Sequence, residues 1–284
     1  DSIRQPMTLP TVSIVVPSFQ QARFLDEALG SLLQQRDQIH ELIVMDGGST
    51  DGSKDIIERY QSDLTHWQSE KDEGQADAII NGFNRATGDI LAWVNSDDAL
   101  FPGAVREMRD WFSCCPNTGL FEGNTIVINE RSEVIRCDRR AGPSDRWARF
   151  GYMRAHQPST FFRRSLYESV GGLDRSMHCT MDTDLWYRML PTANARRINK
   201  YIGVHRIHTD AKGEHERWKA QYDKERAILD ERYPHYRNNP IRYQLGRIAY
   251  YADRTLNARG LQERNDIARY KGKPLTEFFE EQLT

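Results

Sequence analysis

The 284-residue chain contains 39 Lys and Arg against 41 Asp and Glu, which gives a formal net charge of −2 at pH 7, and 38% of its residues are hydrophobic. This composition is typical of a folded globular protein rather than a disordered one, and the near-neutral charge gives no support for nucleic-acid binding. No apolar run is long enough to span a bilayer, and residues 1–10 contain no signal-peptide core. Because the chain begins at Asp1, we expect it to be trimmed from a longer protein.

The four cysteines are Cys114, Cys115, Cys137 and Cys179, and none of them forms a CxxC pair. Two of them are neighbours on a predicted helix. This arrangement argues against a disulfide framework and a structural zinc site, and it is typical of a reducing compartment. We therefore expect a cytoplasmic protein.

Strands and helices alternate through the first part of the chain. Short apolar runs at 13–16, 42–45 and 90–94 predict buried strands, and 64–67 is a weaker strand prediction. Amphipathic stripes between and after them predict helices; the first consists of Leu25, Ala28, Leu29, Leu32 and Leu33. This order predicts an α/β fold with a doubly wound, mostly parallel sheet.

Three of the predicted strands end in polar or glycine-rich loops, at 17–19, 46–53 and 95–98. Ligands of open α/β sheets bind beyond the carboxyl ends of the strands, so these loops are expected to line one crevice. Asp97 and Asp98 are adjacent like charges, which a divalent metal would offset. From this pair alone, a helix cap is an equal alternative.

The pattern changes after Thr118. Residues 121–128 and 134–136 predict a strand meander with a turn at 129–132, and further strands are predicted at 159–162 and 197–208. From about residue 213 the chain is predicted to be helical, with a break near Gly272 and Pro274. We predict a domain over 1–212, divided into a nucleotide-binding half (11–117) and an acceptor half (118–212), and a helical extension over 213–284.

Eight motifs follow one another in the order and spacing of a known family. They are VVPSF at 15–19, VMDGGSTDGS at 44–53, GQADA at 74–78, GDILAWVNSDD at 88–98, QPSTFF at 157–162, GGLD at 171–174, MDTDLWYR at 181–188 and RIH at 206–208. The chain thereby resembles the family 2 glycosyltransferases, which are inverting, nucleotide-sugar-dependent enzymes of the GT-A (Rossmann-like) fold. The resemblance covers about residues 11–210.

The resemblance implies a role for particular residues. It implies that the nucleotide sugar, with a UDP-sugar favoured, is bound by Pro17, Ser18, Phe19, Asp46, Asp77 and Asp97. It implies a Mn²⁺ or Mg²⁺ ion on Asp98 and His208, and a general base at Asp182. A glycan or lipid-linked acceptor would meet His156, Gln157 and Trp186, and the product would be a bacterial-type surface polysaccharide.

Structural roles are the alternatives for these residues. Asp182 could be only a helix cap, with Asp184 pairing with Arg188 or serving as the base instead. His208 could be a hydrogen-bonded histidine at a strand end, Phe19 could pack under the first helix, and Asp46 and Asp51 could cap the second. His156, Gln157 and Trp186 could be packing residues.

Three positions depart from the family pattern. Gly47 stands where many members have a second acidic residue, which puts base recognition by that carboxylate in question. Asn95 replaces the first acid of the metal motif, so a weaker metal site is expected. Met181 precedes the predicted base where many relatives have Glu.

Many arginines and lysines lie between residues 214 and 284, together with two apolar stripes. This segment could contact a membrane peripherally at its inner face, or it could be a solvated cap or a homo-oligomer contact. The rival functions are a sugar-nucleotide nucleotidyltransferase and a non-catalytic nucleotide- or sugar-binding module. The first would need a glycine-rich basic loop near the N-terminus, and residues 17–23 contain one Arg and no Gly.

Overall fold

A computed structural model describes residues 9–139, 148–150, 156–212, 216–236, 239–256 and 258–283. The strands are β1 Val12–Ser18, β2 Glu41–Asp46, β3 His66–Ser69, β4 Ile90–Trp93, β5 Ala99–Leu100, β6 Leu120–Ile128, β7 Val134–Asp138, β8 Thr160–Arg163 and β9 Arg196–Arg206. The helices are α1 Ala22–Leu33, α2 Ser53–Arg59, α3 Gln75–Arg85, α4 Ala104–Cys114, α5 Arg164–Ser169, α6 Met181–Met189, α7 Lys219–Arg232, α8 Pro240–Leu256, α9 Arg259–Tyr270 and α10 Leu275–Leu283.

The first four strands form the parallel half of the sheet, in the spatial order β3-β2-β1-β4. Both faces of β1 are buried, as expected for a central strand covered by helices on two sides. Gly82 lets α3 lie close to this strand, since a Cβ there would lie 2.5 Å from Cγ1 of Val15. The predicted α/β alternation is confirmed, although β3 begins later than the sequence indicated.

Pro17 does not end β1, which continues to Ser18 with Pro17 opposite Met45 of β2. The pairing of β1 with β4 stops at Val15, so Pro17 lies beyond that ladder and its missing N–H costs no hydrogen bond with β4.

The second half of the sheet is mixed. Strand β8 is antiparallel to both β4 and β6, whereas β9 runs parallel to β6 and antiparallel to the two-residue β5. The predicted hairpin is confirmed, because β6 and β7 pair in antiparallel fashion across the turn at 129–132. The parallel arrangement thus holds for β1 to β4, and antiparallel pairs predominate beyond them.

The C-terminal helices pack on the sheet. The predicted break is confirmed between α9 and α10, at Gly272, whose φ is +83°. Tyr270 and Phe278 flank this break and lie in the same apolar core as β1 and β4. Backbone hydrogen bonds from Gly272 to Val134 and from Val134 to Lys273 tie the break to β7. Truncating a fully buried Phe such as Phe278 costs about 3–5 kcal/mol, so these helices contribute to the stability of the sheet.

Two expectations from the sequence concern disulfide bonds and membrane-spanning helices. All four cysteines are free thiols. Among the described residues, no helix is both long and apolar enough to cross a membrane.

Candidate active site

The loops after β1 and β2 are joined by side-chain hydrogen bonds. Ser49 Oγ accepts from the Gln20 N–H at 2.8 Å, and Asp51 accepts from the Ala22 N–H at 2.8 Å at the start of α1. Asp51 also accepts from the N–H and hydroxyl of Ser53 at the start of α2. Burial raises the pKa of Asp51, but these hydrogen bonds outweigh it and leave the pKa below its ordinary value. Asp51 therefore has the capping role that the sequence offered as an alternative.

Asp46, the last residue of β2, is enclosed by its own loop and is 1% exposed. Its carboxylate accepts from the N–H of Ser49 at 2.8 Å, from the hydroxyl of Ser49 at 2.6 Å and from the hydroxyl of Ser69 at 2.6 Å. These bonds connect the ends of β2 and β3. They show Asp46 shaping the strand-end loop, and its contact with a base or ribose stays a prediction.

The residues predicted to meet the nucleotide base lie at the end of β1. Ser18 is buried, and its Oγ has no hydrogen-bond partner in the part of the chain that the structure describes. The Phe19 side chain next to it is 59% exposed. A packing role under α1 does not fit this exposure. An exposed ring beside an unpartnered buried hydroxyl can receive a flat polar ligand.

Asp72, after β3, lies beside Gly47. A Cβ at Gly47 would be 3.0 Å from both Asp72 carboxylate oxygens, so the missing side chain leaves room for this acid. Burial raises the pKa of Asp72; the Gly74 N–H opposes that rise, and the charges of Asp77 and Asp46 add to it. A carboxylate is therefore present next to position 47 even though position 47 is a glycine.

Asp77, in the first turn of α3, is 6% exposed and fully engaged in local contacts. Its oxygens accept from the Glu73 N–H at 3.1 Å and from Asn81 at 3.0 Å, and Arg175 approaches one of them at 3.0 Å. Asp77 thus fixes the start of α3 against the loop before α6. Its predicted contact with the nucleotide sugar stays a prediction.

Asp98 is held by protein groups on both carboxylate oxygens. Oδ1 accepts from the Arg206 N–H at 2.9 Å and lies 3.1 Å from His205 Nδ1, and Oδ2 accepts from Asn95 at 3.0 Å. Burial raises the pKa of Asp98, but the charge of His205 and these hydrogen bonds bring it below its ordinary value. The predicted partner, His208, contacts the other aspartate instead.

Asp97, in the loop between β4 and β5, forms a pair with His208, which follows β9. Asp97 Oδ2 lies 2.9 Å from His208 Nε2, and the Asp97 carbonyl accepts from the Arg206 guanidinium at 2.9 Å. The His208 ring is nearly buried and lies 4.8 Å from the Phe24 ring, while the Asp97 side chain keeps 19% of its surface exposed. Of the two aspartates, Asp97 is therefore the one that reaches solvent beside a histidine.

Asp182 is the second residue of α6 and accepts hydrogen bonds only from its neighbour Thr183, at 2.7 Å from the N–H and 3.3 Å from the hydroxyl, as far as the described residues show. Burial raises the pKa of Asp182, these two bonds lower it by less, and the charge of Glu225 adds to the rise. Asp184 instead pairs with Arg188 at 2.5 Å, as the sequence suggested.

Glu225 of α7 organises the loop at 178–180, which directly precedes Asp182 and α6. It is 1% exposed, and its oxygens accept from the N–H groups of His178, Cys179 and Thr180 at 2.7–2.9 Å. A carboxylate that accepts several backbone N–H groups fixes their geometry strongly. The helical extension therefore positions the predicted base.

Lys212 joins the strand-end loops to the Asp182 loop. Its Nζ donates to Gln75 Oε1 and to the His178 carbonyl, both at 2.9 Å. The Gln75 Nε2 in turn donates to Asn95 Oδ1 at 2.7 Å, and Asn95 bonds Asp98. Desolvation lowers the pKa of Lys212, which is close to the charges of Asp97, Asp72 and Glu225. The end of β4 and the start of α6 thus share one polar network.

The three predicted acceptor residues have structural contacts. Gln157 donates to the Trp93 carbonyl at 2.5 Å and accepts from Asn95 at 3.1 Å, which braces the end of β4. His156 Nε2 lies 2.8 Å from Asp138. Trp186 is 2% exposed and stacks on Trp93 with ring centroids 5.9 Å apart. These positions match the packing alternative for Trp186, while acceptor contact stays a prediction for His156 and Gln157.

Sequence reasoning missed four polar residues of this network: His205, Lys212, Asp72 and Glu225. None of them lies inside a motif with a recognisable spacing, except that His205 precedes the RIH motif. The only sequence feature that could have drawn attention to Lys212 is that it is a basic residue four positions after His208.

Comparison with known proteins places this chain in a family. A family model described as glycosyl transferase family 2 matches residues 13–171. A glycosyltransferase of PGL/p-HBAD biosynthesis from Mycobacterium bovis is 34% identical over 204 residues, covering 70% of this chain and 76% of the relative. An uncharacterized glycosyltransferase of Nostoc is 28% identical over 130 residues, which is 43% of this chain but only 40% of that protein's length.

Solved structures show the same fold. The mannosyltransferase PcManGT from Pyrobaculum calidifontis, in complex with GDP-Man and Mn²⁺, has a TM-score of 0.57 at 20% identity and covers 99% of this chain and 88% of its own. S. aureus TarS 1-349 in complex with UDP-GlcNAc has a TM-score of 0.58 at 15% identity, covering 78% of this chain and 66% of that one. The predicted GT-A fold is confirmed. The chain belongs to glycosyl transferase family 2.

Proposed function

We propose that this protein is an inverting glycosyltransferase that moves a sugar from a nucleoside-diphosphate donor, with a UDP-sugar favoured, to a hydroxyl group of an acceptor. The observation that carries the proposal is the hydrogen-bond network through Lys212. It joins the loop after β4, which contains Asp97, to the loop that precedes Asp182. A donor held at one end of this network presents its sugar toward the other end.

The Asp97–His208 pair fits a divalent metal better than Asp98 does. Both oxygens of Asp98 are already engaged by Asn95, His205 and the Arg206 N–H. No cluster of three or more potential protein ligands occurs among the described residues. A Mg²⁺ or Mn²⁺ ion commonly takes one or two protein ligands and completes its shell with phosphate and water, which suits a two-residue site. We therefore assign the predicted role of Asp98 to Asp97, with His208 retained.

When bound, such an ion would neutralise the charge that develops on the leaving diphosphate. Lys212 is a cation of the chain near this position; its ammonium makes two hydrogen bonds to neutral acceptors and lies close to Asp97. It can donate its remaining N–H to the same anion. Phe19 and Ser18 would receive the base.

Asp182 is the proposed general base. It must be ionised to accept the proton of the acceptor hydroxyl, and a raised pKa makes it a stronger base than an ordinary aspartate. Attack from the side of Asp182, opposite the diphosphate, inverts the anomeric centre. The proposed acceptor is a glycan or a lipid-linked molecule, and the proposed location is the cytoplasm, with peripheral contact at the inner face of the membrane.

A donor panel tests the proposal. The protein is incubated with UDP-, GDP- and dTDP-sugars and an acceptor mixture, with Mn²⁺ or with a chelator, and the nucleotide products are measured. Release of a nucleoside diphosphate that needs the metal is expected. A parallel incubation contains a nucleoside triphosphate and a sugar 1-phosphate. Pyrophosphate release there would indicate a nucleotidyltransferase instead, and nucleotide binding without turnover in either incubation would indicate a binding module.

Two substitutions test the metal assignment. Asp97→Asn should raise the Mn²⁺ concentration needed for half-maximal binding of the nucleotide, measured by calorimetry, by about tenfold or more. Asp98→Asn should instead lower the stability of the fold. Asp210→Asn, at an exposed position near His208, is the matched control. Equal metal dependence in Asp97→Asn and the control would contradict the assignment.

A further inference from the structure

Helix α8 exposes an apolar stripe on its outer side. Ile241 is 73% exposed, Leu245 55%, Ile248 65% and Leu256 87%. At 100° per residue, these four positions and Ala252 fall within an arc of about 80°. The opposite side of the helix is anchored: Tyr250 is buried, and a Cβ at Gly246 would lie 2.6 Å from Cβ of Phe150. The helix therefore has a fixed orientation with its apolar stripe facing outward.

The surroundings of the stripe are uncharged, and positive charge lies beyond them. An arc of about 160° centred on the stripe contains no charged residue. Arg242 lies at one edge of this arc, about 80° from its centre, with Asp253 about 20° further round, and Arg247 lies about 140° from the centre on the other side. Both arginines are exposed. Among the residues that the structure describes, neither side chain has a carboxylate within ion-pair distance. Leu261 on α9 is a further exposed apolar side chain, at 55%.

We infer that this outer face of α8 is a docking surface for an anionic lipid bilayer. Helices that lie in the headgroup region of a membrane likewise have apolar side chains in the centre of one face and basic side chains to either side, here Arg242 at the border and Arg247 further round. The long arginine side chains can reach phosphate groups while the Leu and Ile side chains enter the acyl boundary. The surface is separate from the donor site, and the inference goes beyond the proposed transfer reaction.

A second copy of this chain fits the same face less well. A symmetric contact through α8 would place the positive charge of both copies at one interface, because a two-fold interface has the same patch on both sides. The acidic residue nearest in sequence, Asp253, already pairs with Arg259 at 2.5 Å. Arg242 and Arg247 thus remain without an ion-pair partner among the described residues, and an anionic lipid surface supplies one.

Flotation of the whole protein with vesicles tests the inference. Vesicles are made of phosphatidylcholine alone, or of phosphatidylcholine mixed with phosphatidylglycerol. Wild type should float with the anionic vesicles and less so as salt is raised. Leu245→Gln combined with Ile248→Gln should reduce the ratio of bound to free protein by about tenfold or more, since two apolar side chains no longer enter the bilayer.

Charge variants and controls complete the test. Arg242→Gln with Arg247→Gln should reduce binding to the anionic vesicles by about tenfold and remove most of its salt dependence. Arg106→Gln with Arg131→Gln, at exposed arginines elsewhere, and Leu9→Gln should leave binding unchanged. All these positions are at the surface, so thermal unfolding should be unaffected, and a melt of each variant checks this.

Three results would overturn the inference. The first is wild-type protein that does not float with anionic vesicles. The second is undiminished binding by the Leu245→Gln, Ile248→Gln variant. The third is a dimer in sedimentation analysis that this variant dissociates, which would make the face an interface between copies. Release of nucleoside diphosphate from a soluble donor, measured without vesicles, should be equal in this variant and wild type, so failure of the proposed reaction would be seen separately.

Discussion

The carboxylates of the strand-end loops and the carboxylate of Asp182 differ in how fully they are hydrogen-bonded. Asp46 accepts from two neighbouring hydroxyls and a backbone N–H, and Asp51 accepts from groups at the start of two helices. Asp182 accepts only from Thr183 in the described structure. The pKa of Asp51 is accordingly lowered, whereas burial raises that of Asp182. A carboxylate that accepts several hydrogen bonds holds a loop in place, whereas a carboxylate that accepts few can exchange a proton.

Replacing Asp182 tests this comparison with the largest expected effect. Asp182→Asn should reduce the transfer rate by about 10²–10⁴-fold, because the proton of the acceptor would have no base. The denaturation midpoint should stay unchanged or rise, since a poorly solvated carboxylate is removed. Steady-state kinetics and urea unfolding measure the two effects, with Asp223→Asn on α7 as the control. A variant that retains full activity would leave Asp182 as a helix cap only.

Replacing Asp184 should have the opposite profile. This residue is 1% exposed and contacts Arg188 at 2.5 Å and the Tyr233 hydroxyl at 2.9 Å. Breaking a buried ion pair by removing one partner costs about 3–5 kcal/mol, so Asp184→Asn should lower the free energy of unfolding by that order. Urea denaturation measures it. An unchanged denaturation midpoint would show that Asp184 does not stabilise the fold, and the contrast between a structural Asp184 and a catalytic Asp182 would be lost.

The exposed Phe19 ring offers an intermediate effect. Loss of base stacking costs about 1–3 kcal/mol, so Phe19→Ala should weaken binding of the nucleoside diphosphate by roughly 5- to 150-fold without a change in fold stability. Calorimetric titration of the nucleotide measures this effect. Trp111→Ala, at another partly exposed aromatic on α4, should leave nucleotide affinity unchanged. Equal affinities for both variants would remove Phe19 from the donor site.

The smallest effect concerns pH. Since burial and the charge of Glu225 raise the pKa of Asp182, activity should fall as the pH drops through a value above the ordinary 3.9 or so of aspartate. Tyr222 also faces Asp182, but burial raises the pKa of Tyr222 to about 12, so it stays neutral throughout. Glu225→Gln keeps an acceptor for the loop and removes the charge, so the acid limb of kcat/KM should move to lower pH.

The control for the pH measurement is Asp223→Asn, which removes a charge from the exposed side of α7. It should leave the acid limb in place. If Glu225→Gln leaves the limb unmoved, or moves it to higher pH, the influence of Glu225 on Asp182 is not electrostatic.

The alternation of strands and helices could be predicted because it rests on local periodicity, and β1, β2, β4 and the break at Gly272 follow from it. The two-residue β5 is too short to carry a periodic signal. The antiparallel placement of β8 could not be predicted either, since it depends on contacts with β4 and β6 that are remote in sequence.

The site shows the same division. The sequence places two aspartates side by side and two histidines three residues apart, but it does not say which meets which. That choice depends on the register of β9 against β5, which directly follows the two aspartates, and the structure pairs Asp97 with His208 and Asp98 with His205. Asp72 was equally hidden, because its importance comes from the space left at Gly47 across the sheet edge.

The packing of Tyr270 and Phe278 into the main core has a consequence for biosynthesis. Residues 12–128, which form β1 to β6, leave the ribosome before α9 and α10 are made, and translation at about 5–20 residues per second separates the two events by on the order of ten seconds. During that interval the apolar surface that will receive Phe278 is open to water. The nascent chain is therefore expected to be a client of ribosome-associated chaperones until residues 270–278 emerge.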